Sequence, residues 1–268
     1  MDALSEGIHL IIVHDKSDDS TQSELDEMIA QFDSNLILLK EVSFKSPGLT
    51  RNHGMEFIST PWFAFADADD YVEVENLHRL QIETERSMCH IGIGAFYSID
   101  VKSSKTYWAT PPNAGNAHLS HHLATTMGLW RFVFSTKECA KFRFGAYRMA
   151  EDYLFLAKLL DLNVNIYTNS MPVYTYYFGG DLNLTSNQSA MVDMYRVLRI
   201  FKTLKCNQQI AEEFRIYSLE KLAFSVIKNV KTPSLLKILP TLILIMISHP
   251  KHALRVLNGK AKNRGDLI

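Results

Sequence analysis

Trp62-Phe-Ala-Phe-Ala-Asp67-Ala-Asp69-Asp70-Tyr71 is the stretch that decides the fold. Its first five residues are mostly apolar and predict a buried strand; three carboxylates within four positions follow where that strand stops. Carboxylates this close repel one another unless a cation or hydrogen-bond donors offset the charge. Their place at the carboxyl end of a strand therefore points to a divalent metal, and hard oxygen ligands favour Mg²⁺ or Mn²⁺. The alternative is an acidic strand-to-helix turn in which Asp70 caps a helix starting near Val72.

The flanking segments give this stretch a context. Upstream, Ile8-His-Leu-Ile-Ile-Val13 is a short β-branched run suited to a strand covered on both faces. The polar turn His14 to Thr21 follows, and Leu25, Met28, Ile29 and Phe32 then recur at helical spacing. Asn35 to Leu39 predicts a second strand, and Ser46 to Gly54 a loop opening a short helix that runs through Ile58. The order β, α, β, α, β in a right-handed parallel arrangement brings the polar turns to one sheet edge. Asp15, Arg51 and the Asp67 to Asp70 cluster would then share a crevice able to hold a nucleoside diphosphate.

Downstream, Val74 to Met88 predicts a polar helix and His90 to Tyr97 a strand whose two glycines serve packing. Asp100 to His122, Ser-, Pro- and Asn-rich around Trp108, reads as a long loop able to fold over a ligand, and His118, His121 and His122 have a spacing compatible with a metal or, more simply, with a solvated or acceptor-facing surface. Met127 to Ser135 predicts a strand with an aromatic and a cation, Trp130 and Arg131, near its start. Glu151 and Asp152 then open the apolar helix beginning at Tyr153, where the helix dipole stabilises negative charge. A carboxylate there can take a proton from a hydroxyl nucleophile, or simply cap the helix.

Composition narrows the function classes. The chain has 268 residues, 47% of them hydrophobic, enough for a full core. Lys+Arg of 28 against Asp+Glu of 29 gives a net charge of −1, which argues against a broad nucleic-acid surface. Cys89, Cys139 and Cys206 lie far apart in no paired pattern, so a reducing, cytoplasmic setting is expected. No secretion signal is recognisable at the amino terminus.

Five segments in order resemble the inverting family 2 glycosyltransferases of the GT-A fold that build bacterial capsules and lipopolysaccharide O-antigens. Ile11-Ile-Val13-His14-Asp15-Lys-Ser17 resembles the nucleotide-binding I-I-V-D-D-G-S strand. Gly48-Leu-Thr-Arg51-Asn52-His-Gly54 resembles G-x-x-x-A-R-N-x-G, and Phe65-Ala-Asp67-Ala-Asp69-Asp70 the D-x-D-D motif. Phe142-Arg-Phe144 through Glu151-Asp152 resembles the element supplying the base, and Pro172-Val-Tyr174-Thr-Tyr176 with Leu184-Thr185 resembles Y-x-Y…S-x-T. The resemblance implies an α/β GT-A architecture: a mixed, mainly parallel sheet flanked by helices over residues 1–188, with a helical extension over 189–268.

It also implies roles. Asp15, Ser17, Arg51, Asn52, Asp67 and Asp69 would bind the nucleotide-sugar, with a UDP-sugar the expected donor. Asp69 and Asp70 would hold Mn²⁺ or Mg²⁺ on the diphosphate, Asp152 would be the general base with Glu151 beside it, and Trp130 and Arg131 would meet the acceptor, a growing surface polysaccharide or lipid-linked glycan. His14 replaces the first aspartate of the family pattern. The family's usual opening strand and helix, of the form S-I-I-I-P-x-Y-N, has no counterpart before Ile8; the alternatives are a start further upstream, a non-catalytic nucleotide-sugar-binding copy, or completion by another segment or subunit. A phosphohydrolase using Asp67 or Asp69 as nucleophile is disfavoured, because Tyr71 breaks the D-x-D-x-T/V pattern. Apolar residues from Leu235 and a basic tail through Arg264 suit either the inner face of an anionic membrane, contacted through 235–264, or a helix packed on the domain.

Overall fold

A computed structural model describes residues 8–16, 21–31, 37–113, 119–180 and 188–229. Strand β1 (Leu10–Asp15) pairs in parallel with β2 (Ile37–Val42), bringing Asp15 opposite Val42. Helix α1 (Thr21–Ile29) connects them, and α2 (Pro47–Met55) follows β2. Pro47 at its first position needs no hydrogen-bond partner there, and Ser46 caps it by accepting from the Leu49 N–H. Then come β3 (Trp62–Phe63), β4 (Tyr71–Val72), α3 (Val74–Arg86), β5 (Ile91–Asp100) and β6 (Thr106–Ala109). The rest comprises α4 (Leu119–Thr125), a 3₁₀ turn (Leu129–Arg131), β7 (Phe132–Ser135), α5 (Thr136–Cys139), α6 (Glu151–Leu160), β8 (Ile166–Phe178), α7 (Gln188–Thr203) and α8 (Gln209–Asn229).

The fold is α/β with a mixed sheet flanked by helices, as expected, and its two longest ladders, β1–β2 and β5–β8, are the parallel ones. Of the six described pairings, β1–β2 and β5–β8 are parallel, and β3–β7, β4–β8, β5–β6 and β5–β7 are antiparallel. The expected single β-α-β-α-β succession is also divided: β1 and β2 form a sheet of their own, and β3 belongs to the second sheet, ordered β3-β7-β5-β8-β4 with β6 on β5. Strand β3 is shorter than its apolar run. After Phe63 the chain leaves the ladder, and the Asp67 N–H goes to the Tyr174 hydroxyl at 3.0 Å instead of to a strand partner.

The expected loop from Asp100 contains a hairpin. The Asp100 carboxylate accepts from the Lys102 N–H at 3.0 Å and the Ser103 hydroxyl at 2.8 Å, a local turn that sends β6 back along β5. The glycines of β5 do serve packing. A Cβ on Gly92 would lie 2.1 Å from Thr84 Oγ1, and one on Gly94 2.6 Å from Val173. Strand pairing of Met127 to Ser135 begins only at Phe132, behind the 3₁₀ turn.

The main core joins sheet and helices. Ile91, Ile93, Phe132 and Phe134 pack with Phe155 and Leu156 of α6, and Val197, Leu198, Phe201 and Phe214 of α7 and α8 belong to the same cluster. The described helices beyond residue 188 thus share the core of the sheet domain. Residues 235–264 lie outside the described residues, so the expected membrane-facing segment does too. Among the described residues no helix is long and apolar enough to cross a membrane.

Candidate functional site

Three of the sequence-nominated elements meet at Arg51. Its Nη2 donates to Asp67 Oδ1 at 3.0 Å and its Nη1 to Glu151 Oε1 at 2.6 Å. Arg51 sits on α2, Asp67 on the loop after β3 and Glu151 at the start of α6. Charge-assisted bonds of this kind are about twice as strong as neutral ones, and they fix the spacing of the two acidic elements. Burial opposes the guanidinium charge, but Asp67, Glu151 and Asp152 outweigh it and hold the Arg51 pKa above its ordinary value.

Glu151 and Asp152 therefore differ in kind. Glu151 is buried and committed to Arg51. Asp152 lines a cavity, and its pKa is raised to about 7, first by burial and then by the Glu151 charge, with Arg51 acting against both. A carboxylate with proton affinity near neutrality is suited to taking a proton from a hydroxyl. The backbone just before the pair is in the left-handed region, with Ala150 at φ 66°, an uncommon conformation for a side-chain-bearing residue.

The segment from Asp15 to Asn52 works as a brace. Asp15 accepts from the Phe44 N–H at 2.8 Å, the Ser46 N–H at 3.3 Å and the Thr50 hydroxyl at 3.0 Å, fixing the entry to α2. These hydrogen bonds lower its pKa despite the opposing effect of burial. Asn52 clamps the Phe144 backbone, donating to its C=O at 3.1 Å and accepting from its N–H at 2.8 Å. Gly48 allows the same approach: a Cβ there would lie 2.4 Å from the Gly145 carbonyl oxygen. Ser17 lies outside the described residues.

The D-x-D-D loop hangs on Tyr174 of β8, whose signal in the sequence was only its place in the Y-x-Y element. The Tyr174 hydroxyl accepts from the Asp67 N–H and donates to Asp70 Oδ2 at 2.9 Å, while the Tyr177 N–H donates to Asp70 Oδ1 at 2.8 Å. Burial still raises the Asp70 pKa to about 6, against these two hydrogen bonds. Asp69 is exposed. Among the described residues no three His, Cys, Asp or Glu gather to hold a metal ion. A cation carried in on a diphosphate needs only one or two carboxylates, and Asp69 with its neighbour Asp70 fits that smaller demand.

Beyond Asp152 the cavity, of about 240 Å³, runs between the β5–β6 hairpin and residues 125–130, past Trp108, Tyr176 and Thr126. Trp130 forms part of the wall but is itself buried, stacked on Tyr174 with ring centroids 4.3 Å apart. Arg131 lies wholly buried behind it. Its Nη1 donates to His122 Nε2 at 2.7 Å and its Nη2 to Thr126 Oγ1 at 3.1 Å. The donated bond requires Nε2 unprotonated, and burial with the Arg131 charge pushes the His122 pKa down to about 2. His121 packs edge-on against Tyr217, with ring centroids 4.9 Å apart, so the two described histidines of the trio have protein partners; His118 lies outside the described residues. Trp108 was legible only as the centre of a polar loop able to fold over a ligand.

Comparison with known proteins places this arrangement. The sequence model of Glycosyl transferase family 2 matches residues 2–149, more than half of the chain. The chain belongs to that family. A teichoic acid poly(glycerol phosphate) polymerase of Staphylococcus epidermidis is 35% identical over 66 residues, which are 25% of this chain and 9% of that protein's length. S. aureus TarS 1–349 in complex with UDP-GlcNAc superposes with a TM-score of 0.61 at 15% identity, over 93% of this chain and 70% of that one. The UDP complex of the same protein gives 0.56 at 16% identity, over 80% of this chain and 61% of that one. A mannosyltransferase from Pyrobaculum calidifontis, in complex with GDP-Man and Mn²⁺, gives 0.52 at 10% identity over 97% and 79%. These likenesses establish the GT-A fold.

Proposed function

We propose that this chain is an inverting glycosyltransferase that moves a sugar from a nucleotide-sugar, with UDP as the carrier, to a hydroxyl of a surface glycan or its lipid-linked precursor. The observation that carries this reading is Asp152: a cavity-lining carboxylate of raised proton affinity, held beside the D-x-D-D loop through Glu151, Arg51 and Asp67. Family membership and neighbours solved with UDP and UDP-GlcNAc support the donor class. The match to a teichoic acid polymerase supports an extracellular-polymer pathway, and action at the inner membrane face accords with it.

In the step we propose, the acceptor hydroxyl gives its proton to Asp152 as its oxygen forms a bond to the anomeric carbon. The bond from that carbon to the diphosphate oxygen breaks on the opposite face, and the electron pair leaves with the nucleoside diphosphate. Configuration inverts in this one displacement. Asp69 with Asp70 would hold a divalent cation, Mn²⁺ or Mg²⁺, which would supply positive charge against the departing diphosphate. Asp67, fixed by Arg51, faces the ribose and donor sugar; Asp15, Arg51 and Asn52 shape the base and ribose side, with Asp15 and Asn52 acting in part through the brace that sets Arg51.

Isothermal titration with UDP, with and without Mn²⁺, tests the donor site. Metal-dependent binding that is lost in Asp69→Ala is the expected result. A folded chain that binds no UDP in either condition overturns the reading.

A further inference from the structure

The cavity beside Asp152 is backed by a charge that catalysis does not use. Arg131 is 0% exposed, and its hydrogen-bond partners, His122 and Thr126, are both neutral. Its Nε is buried with no partner, and no ion pair to a carboxylate exists for it among the described residues. The rings of Phe96 and Phe132 lie 5.2 Å and 5.5 Å from the guanidinium carbon. Such contacts are worth about 0.5–2 kcal/mol, less than the several kcal/mol that burying an ion costs. A lone buried cation is therefore an expensive feature, and no described carboxylate balances it. Thr126 connects it to the cavity, since it both accepts from Arg131 and lines that space, and the Phe96 ring against the guanidinium lines it too. Lys221, on the helix packed against α4, lines the same cavity.

We propose that the acceptor entering this cavity is anionic, a polyol phosphate or sugar phosphate, and that Arg131 supplies the charge selecting it from behind the wall. This rests on the reading of the cavity as the acceptor site. One end of such a molecule offers the hydroxyl to Asp152, and the phosphate lies toward Thr126, where its charge completes that of the guanidinium. The volume suits this occupant: about 240 Å³ is below the ~300–1,000 Å³ usual for larger ligands and leaves room for one polyol or sugar unit. Arg131 is a positioning residue here, acting through space and through Thr126.

The test compares glycerol 3-phosphate with glycerol, each titrated by ligand-observed NMR into the full chain holding saturating UDP and Mg²⁺. Glycerol 3-phosphate is expected to bind at least about tenfold more tightly than glycerol. Arg131→Met, which fills the buried space without charge, should bring that ratio close to one with UDP affinity unchanged, and Arg131→Lys should keep most of it. A merely structural role would weaken both probes together and leave the ratio intact. Equal binding of the two probes by the wild-type chain, or a ratio unaltered in Arg131→Met, overturns the proposal; should that variant not fold, Arg131→Gln gives the same reading. UDP affinity is read by a separate titration of the same preparation. Its absence counts against the donor site, whereas normal UDP affinity with no preference for the phosphate counts against this inference alone.

Discussion

Arg51 holds Asp67 with one Nη and Glu151 with the other, so the two acidic elements of the site are set by a single guanidinium from a third element. The relationship gives a physical reason for the different roles of two adjacent carboxylates. Glu151 is the structural partner and Asp152 the group left facing the cavity.

Arg51→Ala should remove both bonds and leave buried Glu151 uncompensated. The site is only partly buried, with the Arg51 side chain 21% exposed, so the loss lies between that of exposed and buried pairs, about 2–3 kcal/mol. Urea unfolding measures it. Arg51→Lys should recover little, because an ammonium cannot span the two carboxylates as a planar fork does.

The pH dependence of turnover follows from Asp152. A base acts when deprotonated, so kcat/KM should rise with pH through an apparent pKa near 7, where burial and Glu151 place it. Glu151→Gln removes the nearest negative charge and should move that limb to lower pH, while Arg51→Gln should move it higher. A pH–rate profile of each variant checks the signs. A limb that moves the other way would contradict the assignment.

Gly48→Ala should destabilise the chain by about 1–3 kcal/mol, since its Cβ would press on the Gly145 carbonyl oxygen and on Phe144 at 3.0 Å. The displaced loop carries the residues leading to Asp152, so activity should fall further than stability alone explains. Thermal unfolding and turnover on one preparation separate the two effects.

Tyr174→Phe should cost about 1–3 kcal/mol, because the Asp67 N–H and the Asp70 carboxylate lose their shared hydroxyl. The loop would then hold Asp69 less firmly. Metal-dependent UDP affinity should weaken even at temperatures where the variant is fully folded.

Much of the site was legible in the sequence because its chemistry is local. Three carboxylates at a strand end, Glu151-Asp152 at a helix start and Arg51 between two glycines of a short helix are each visible in a few residues. What stayed hidden depends on contacts distant along the chain. The 107-residue separation of Asp67 from Tyr174, and the 92 between Asn52 and Phe144, leave no local trace. The sense of strand pairing was hidden for the same reason. An apolar run such as Trp62 to Ala66 fits a parallel or an antiparallel neighbour equally, and only the full topology pairs β3 with β7. The hairpin carrying Trp108 was obscured because a short β6 between polar turns resembles a loop.

The most direct test of Asp152 as the base is release of UDP from UDP-GlcNAc, used as a probe donor with Mn²⁺ and with water as the hydroxyl acceptor, measured for wild type and Asp152→Asn at matched nucleotide occupancy. The account predicts unchanged UDP affinity and a rate lower by roughly 10²–10⁴-fold in the variant. Release by Asp152→Asn at the wild-type rate would contradict it.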